Sequence, residues 1–263
     1  MLSASELHVA GRHRDLLPAT SLEAPRGAVL LVQGDGRQRR TALALTLTGR
    51  MKPTSGTVHW GHEADITHLR RHSALIDAPG VNEPEQHLSV KDLAAEDLAL
   101  IPRRFRDRTR PTAWLVKHGH SEIAGKWTDE LAPEPRLRLL TDLALANPDV
   151  DVLVVDSPDR HSDDAQDWLP FLQRLAAGTG RHDGGHRLTV IAVVAHFPLD
   201  WDGATAQVGD IPAVPAPAPE AAPTEPAVEP APEPATAEIS SQGPQAQPAA
   251  AKPAHNDESQ ETQ

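Results

Sequence analysis

An apolar run from Ala28 to Val32 stops at Gly34 and Gly36, and a second apolar segment, rich in Ala and Leu, begins at Thr41. Leu43, Leu45 and Leu47 alternate, which alone would suit a strand, but helix-forming composition and the glycines before it predict a helix. The pattern is strand, glycine turn, helix. Upstream, residues 2 to 9 alternate enough for a first strand and Ala19 to Glu23 for a second, before the turn Ala24-Pro25-Arg26-Gly27. Thr57 to Trp60 and Ser73 to Ile76 read as short strands joined by a charged connection. Ser89, with Asp92 three residues on, is placed to cap a helix. Arg136 to Ala146 keeps helical apolar spacing and ends at Asn147-Pro148. Val150 to Asp156 reads as a buried parallel strand ending in a carboxylate. Residues 164 to 178 predict a helix whose apolar face carries Trp168, Leu169, Phe171, Leu172 and Leu175. A Gly- and His-rich turn then leads to a further buried strand from Leu188 that ends at His196.

The pattern fails after about Ile211, where Pro, Ala, Glu and Gln replace large apolar side chains. Such a segment cannot offset its ordering entropy, so the expected organisation is a folded domain over residues 1–206 and an extended, disordered tail over 207–263. The tail holds many of the acids behind a net charge of −12. That balance argues against nucleic-acid binding, which needs a surplus of Lys and Arg. There is no cysteine, so disulfides and thiolate metal sites are excluded. The N-terminal text lacks the apolar core of a secretory signal, and no apolar run approaches the roughly 20 residues that span a bilayer. The expectation is a cytoplasmic chain without a membrane span of its own.

The chemistry concentrates at the glycine turn. A strand, a glycine-rich bend and a helix N-terminus point backbone N–H groups and the positive end of a helix dipole at one spot, a ready anion site. The usual P-loop text is G-x-x-x-x-G-K-[ST]. Here Gly34-Asp35-Gly36-Arg37-Gln38-Arg39-Arg40-Thr41 keeps the first glycine and the hydroxyl, with Arg39 for the second glycine and Arg40 for the lysine. A turn reading of Pro53-Thr54-Ser55-Gly56 is also available, with Pro fixing φ and Gly taking a positive φ.

Gly49-Arg50-Met51-Lys52-Pro53-Thr54-Ser55-Gly56-Thr57-Val58 closely resembles the G-x-x-x-P-T-S-G-x-V text that follows the P-loop helix in ATP-binding cassette (ABC) ATPases. Leu88 to Leu93 is similar to that family's opening of a helical subdomain, and Val150 to Asp163 to its carboxylate strand, with Asp156, Pro158 and Asp163 matching. The resemblance implies an α/β P-loop fold of the ABC type, with a mainly parallel sheet, an antiparallel β element and a helical subdomain at about 86–147. It implies ATP and Mg²⁺ as cofactors, with Gly34, Gly36, Arg39, Arg40, Thr41 and Ala42 at the nucleotide and Thr41 and Asp156 at the metal. Asp156 and His196 take the catalytic positions.

The chain departs from the family where hydrolysis is carried out. Ser157 replaces the water-polarising glutamate, Leu131-Ala132-Pro133-Glu134-Pro135 replaces the glycine-rich phosphate-sensing loop, and Ser73 to Pro79 has no glutamine. Asp77 stands there as a turn residue or a weak metal ligand. No tyrosine exists to stack on adenine, which leaves His13 or an arginine plane. The implied function is an ATP-binding transporter subunit with weak or absent turnover, in a homo- or heterodimer of cassettes joined to a membrane permease. The alternative is a cassette-shaped scaffold that binds no nucleotide. The arginines from 103 to 110, interleaved with Phe105, read as a solvated face ahead of the other reading, a docking surface for an acidic or membrane-adjacent partner, and His161, His182 and His186 lack ligand-like spacing.

Overall fold

The structure, a computed structural model, describes residues 1–180 and 185–210. Two sheets share the work. Strands β1 (Leu2–Val9), β2 (Leu17–Ala24) and β4 (Ser55–Trp60) form an antiparallel sheet in the order β2-β1-β4. Strands β3 (Val29–Gln33), β5 (Ser73–Ile76), β6 (Val152–Asp156), β7 (Thr189–Val194) and β8 (Ala204–Gln207) form the second, in the order β5-β6-β7-β3-β8, with every pairing parallel.

The parallel sheet is buried on both faces, and its side chains sort by period two. Leu31, Leu153, Val155, Val190 and Ala192 join one core, with the helices α3 (Val90–Leu100), α4 (Pro111–Lys117), α5 (Pro133–Ala144) and α6 (Leu169–Ala176). Leu30, Val32, Val154, Ile191 and Val193 join the other, with α1 (Arg37–Leu47) and the antiparallel sheet. Helices α3 to α5 lie between β5 and β6 in sequence, inside the span expected for a helical subdomain.

Several elements differ from expectation for identifiable reasons. Helix α1 begins at Arg37, four residues before Thr41, because the Gly36 carbonyl already accepts from Arg39 N (3.1 Å) and Arg40 N (3.3 Å). Arg and Gln are good helix formers, and no glycine at position 39 interrupts them. Helix α5 begins at Pro133 rather than Arg136. Proline is well suited to the first helical position, where its missing N–H has no intrahelical partner to lose. Pro170 takes the second position of α6, which starts at Leu169 after a short 3₁₀ turn, and there too the missing N–H has no intrahelical partner to lose. The charged connection before β5 contains a short helix, α2 (Ile66–His72), capped by the Asp65 side chain accepting from His68 N at 3.0 Å.

Strand β8 has no counterpart in the sequence reading and runs to Gln207, past the boundary expected at 206. Beyond it, Val208 N donates to the Gln33 carbonyl (2.8 Å) and Ser21 N to that of Asp210 (2.9 Å). Of the tail expected over 207–263, residues 207–210 are described and Gln207 closes β8, while 211–263 lie outside the described residues, as does His182.

Candidate nucleotide site

The ends of β3 and β6 bring the P-loop text and the carboxylate strand together. Gly34 N continues the sheet by donating to the Val194 carbonyl at 3.0 Å. A Cβ at Gly34 would stand 2.9 Å from Val208 Cγ2 and 3.2 Å from Arg40 Cγ, so glycine is what lets those two side chains pack so close to the backbone there. Gly36 is needed for a different reason. It takes φ 76° as the residue preceding α1, with open space around it.

Because α1 starts early, the bend between strand and helix is short. The N–H groups of Arg37 and Gln38 fall in the first turn of the helix, where no intrahelical carbonyl reaches them. They are the donors left to face an anion, while those of Arg39 and Arg40 are spent on Gly36.

Behind the bend runs a connected chain of side chains. Thr41 Oγ1 donates to Asp156 Oδ2 (2.6 Å), and Ser157 Oγ donates to Asp156 Oδ1 (2.8 Å). Arg40 Nε donates to Ser157 Oγ (2.9 Å) and its Nη1 to the Gly34 carbonyl (3.0 Å). Asp156 is wholly buried, and burial raises its pKa against the lowering effect of the Thr41 and Ser157 hydrogen bonds and the Arg160 and Arg40 charges. Ser157 sits in the left-handed region at φ 54°. Its hydroxyl is occupied on both sides, and a serine near neutral pH is no general base.

In front of the bend is a cleft of about 850 Å³ between the β1–β2 turn and the first turn of α1. Arg12, His13 and Arg14 line one wall, Arg37 and Arg39 the other. None of the four arginines is paired with another described residue. The cleft holds only Asp15 and Asp35 against them, and Asp15 is 3.0 Å from His8.

The remaining predicted residues disperse. Ala42 is buried in the core under α1. His196 is exposed beyond β7, in a separate cleft with Asp159, Asp163 and Asp200, and has no hydrogen-bond partner among the described residues.

Sequence reasoning missed the role of Asp77. It is 5% exposed, with φ 56°. Arg136 at the start of α5 binds it with both forks, at 3.0 and 2.9 Å. Arg160 Nη2 lies 3.0 Å and His161 Nε2 2.9 Å from its oxygens. Arg160 Nη1 also donates to the Asp77 carbonyl at 2.7 Å. Burial by itself would raise the Asp77 pKa. Hydrogen bonds from His161 and Arg136 and the charges of Arg136 and Arg160 outweigh it and hold the carboxyl well below the usual carboxylate range. The carboxylate is saturated by cations, which is incompatible with the metal-ligand reading. Among the described residues no group of three or more His, Cys, Asp or Glu could hold a metal ion.

No protein-family model matches the chain, and no curated protein is similar to it in sequence. Solved structures are similar in fold. A putative ABC transporter ATP-binding protein from Pyrococcus furiosus has a TM-score of 0.54 at 16% identity, over 79% of this chain and 96% of that one. The cbiO1 protein of Clostridium perfringens, part of the ABC transporter complex cbiONQ, has a TM-score of 0.53 at 20% identity, over 74% of this chain and 78% of that one. A dimeric bacterial ABC transporter cassette has a TM-score of 0.51 at 18% identity, over 74% and 88%. The chain has the fold of an ATP-binding cassette, with the parallel sheet, antiparallel sheet and helical segment that the sequence led us to expect.

Proposed function

We propose that the chain is a nucleotide-binding cassette that holds ATP with Mg²⁺ and turns it over slowly or not at all. The observation that carries this reading is the contact of Thr41 with Asp156 behind a cleft of unpaired arginines. The donor set fits the cofactor. One hydroxyl and one carboxylate are hard oxygen ligands of the kind that Mg²⁺ takes alongside substrate phosphates. When bound, the ion would neutralise phosphate oxygens. Arg37 and Arg39, with the first-turn N–H groups of α1, would hold the phosphate chain in front of it.

Turnover is a different matter. With Ser157 where a water-polarising acid would act, an acid–base contribution of about 10² to 10⁴ in rate is missing. Pro133 and Pro135 open α5 without backbone donors of their own, so that helix offers a poorer anion end than one opened by glycine. The similarity to a dimeric cassette and to a part of a transporter complex supports a role beside a second cassette and a membrane permease. Among the described residues no helix is long and apolar enough to cross a membrane, so the permease would supply the span.

Calorimetric titration of the full chain with ATP and Mg²⁺, run beside a phosphate-release assay, tests the proposal. Saturable heat with little phosphate release is expected. Brisk release that disappears in Asp156→Ala would refute slow turnover, and the absence of any heat would refute nucleotide binding.

A further inference from the structure

We infer that the arginine-lined cleft recognises a linear polyphosphate and is indifferent to the base attached to it. The inference rests on the nucleotide-binding reading above and narrows its ligand class.

The argument begins with charge. Arg12 and Arg14 come from the turn between β1 and β2, Arg37 and Arg39 from the first turn of α1, and all four face one cleft of about 850 Å³. They do so in a chain whose net charge is −12, and none has a partner among the described residues. Four unpaired guanidinium groups around one space repel one another, and an anion between them removes that cost. Guanidinium forks bind phosphate oxygens two at a time. Forks supplied by two separate segments suit several linked phosphates, each offering its own oxygens, better than one compact ion.

Base selection would need two things that the cleft does not present. One is a broad apolar plate. The residues lining it include a single ring, that of His13, on an exposed turn. Stacking on an imidazole or on an arginine plane tolerates every base, because each base has a π face. The other is a set of fixed donors and acceptors for the base edge. Besides the arginines, the polar side chains at the cleft are Gln38, His13, Asp15 and Asp35, all exposed. A side chain free to rotate in solvent gives little discrimination between adenine and guanine.

The test is a set of titrations of the full chain at low salt with Mg²⁺, using ATP, GTP, inorganic tripolyphosphate and adenosine. The first three should bind within about threefold of one another and adenosine not at all, with affinity falling steeply as salt rises. The double variant Arg12→Glu/Arg14→Glu, at two exposed positions, should weaken all three by a common factor of about ten or more while its melting temperature stays that of the parent. ATP binding about tenfold tighter than both GTP and tripolyphosphate would overturn base indifference and leave nucleotide binding intact. Failure of all three to bind would overturn the nucleotide-binding reading itself.

Discussion

Asp77 ties together three parts of the chain that are far apart in sequence: the end of β5, the first turn of α5 and the segment after β6. Its removal would strand Arg136, which is 7% exposed, as an uncompensated buried charge. Asp77→Ala is therefore expected to cost about 3–5 kcal/mol, read as a lowered urea midpoint. The pH dependence follows from the sign of the shift. The folded carboxyl has the lower pKa, so its contribution is complete above the unfolded value of about 3.9 and is lost as pH falls through the folded value.

Asp97 behaves in the opposite sense. Burial, and then the neighbouring Glu96, push its carboxyl up to about 6. Its favourable contribution is present below the unfolded pKa and disappears as pH rises through the folded one. Asp97→Asn should leave melting unchanged near pH 4 and stabilise the protein at pH 7.5, by about 1–2 kcal/mol once its partial solvation is allowed for. Equal melting shifts at both pH values would contradict this.

At the scale of elements, α1 shows what the sequence carries and what it hides. The apolar run into β3, the glycines and the apolar helix were all legible, as were the buried runs of β6 and β7, because each is a local pattern bounded by turn residues. The starting residue of α1 was not. It depends on whether Arg39 or a glycine follows the bend, a choice of backbone conformation to which periodicity is blind. Arg39→Gly is expected to lower stability by about 1 kcal/mol, the usual penalty for glycine inside a helix, and to weaken tripolyphosphate binding by removing one fork. Denaturant unfolding and titration check the two effects separately. Strand β8 was invisible for another reason: Ala204 to Gln207 is largely exposed and lies at the edge of the sheet, so no burial pattern marks it. Asp77 left no signal either, since its partners stand 59 and 84 residues away.

The molecule as a whole rests on the parallel sheet, whose two faces feed separate cores. Leu31, in the central region of β3, is fully buried, and Leu31→Ala should cost about 2–5 kcal/mol in denaturant unfolding. Leu199→Ala, at a fully exposed position, should leave the same midpoint unmoved.

Arg136 belongs to α5 and Asp77 to the margin of the sheet, and their two-pronged contact sits where those bodies meet. To tilt α5 away from β5 would mean separating two opposite charges that are both almost wholly buried. The two-pronged ion pair therefore pins the first turn of α5 to the end of β5, so that neither can shift alone without breaking it.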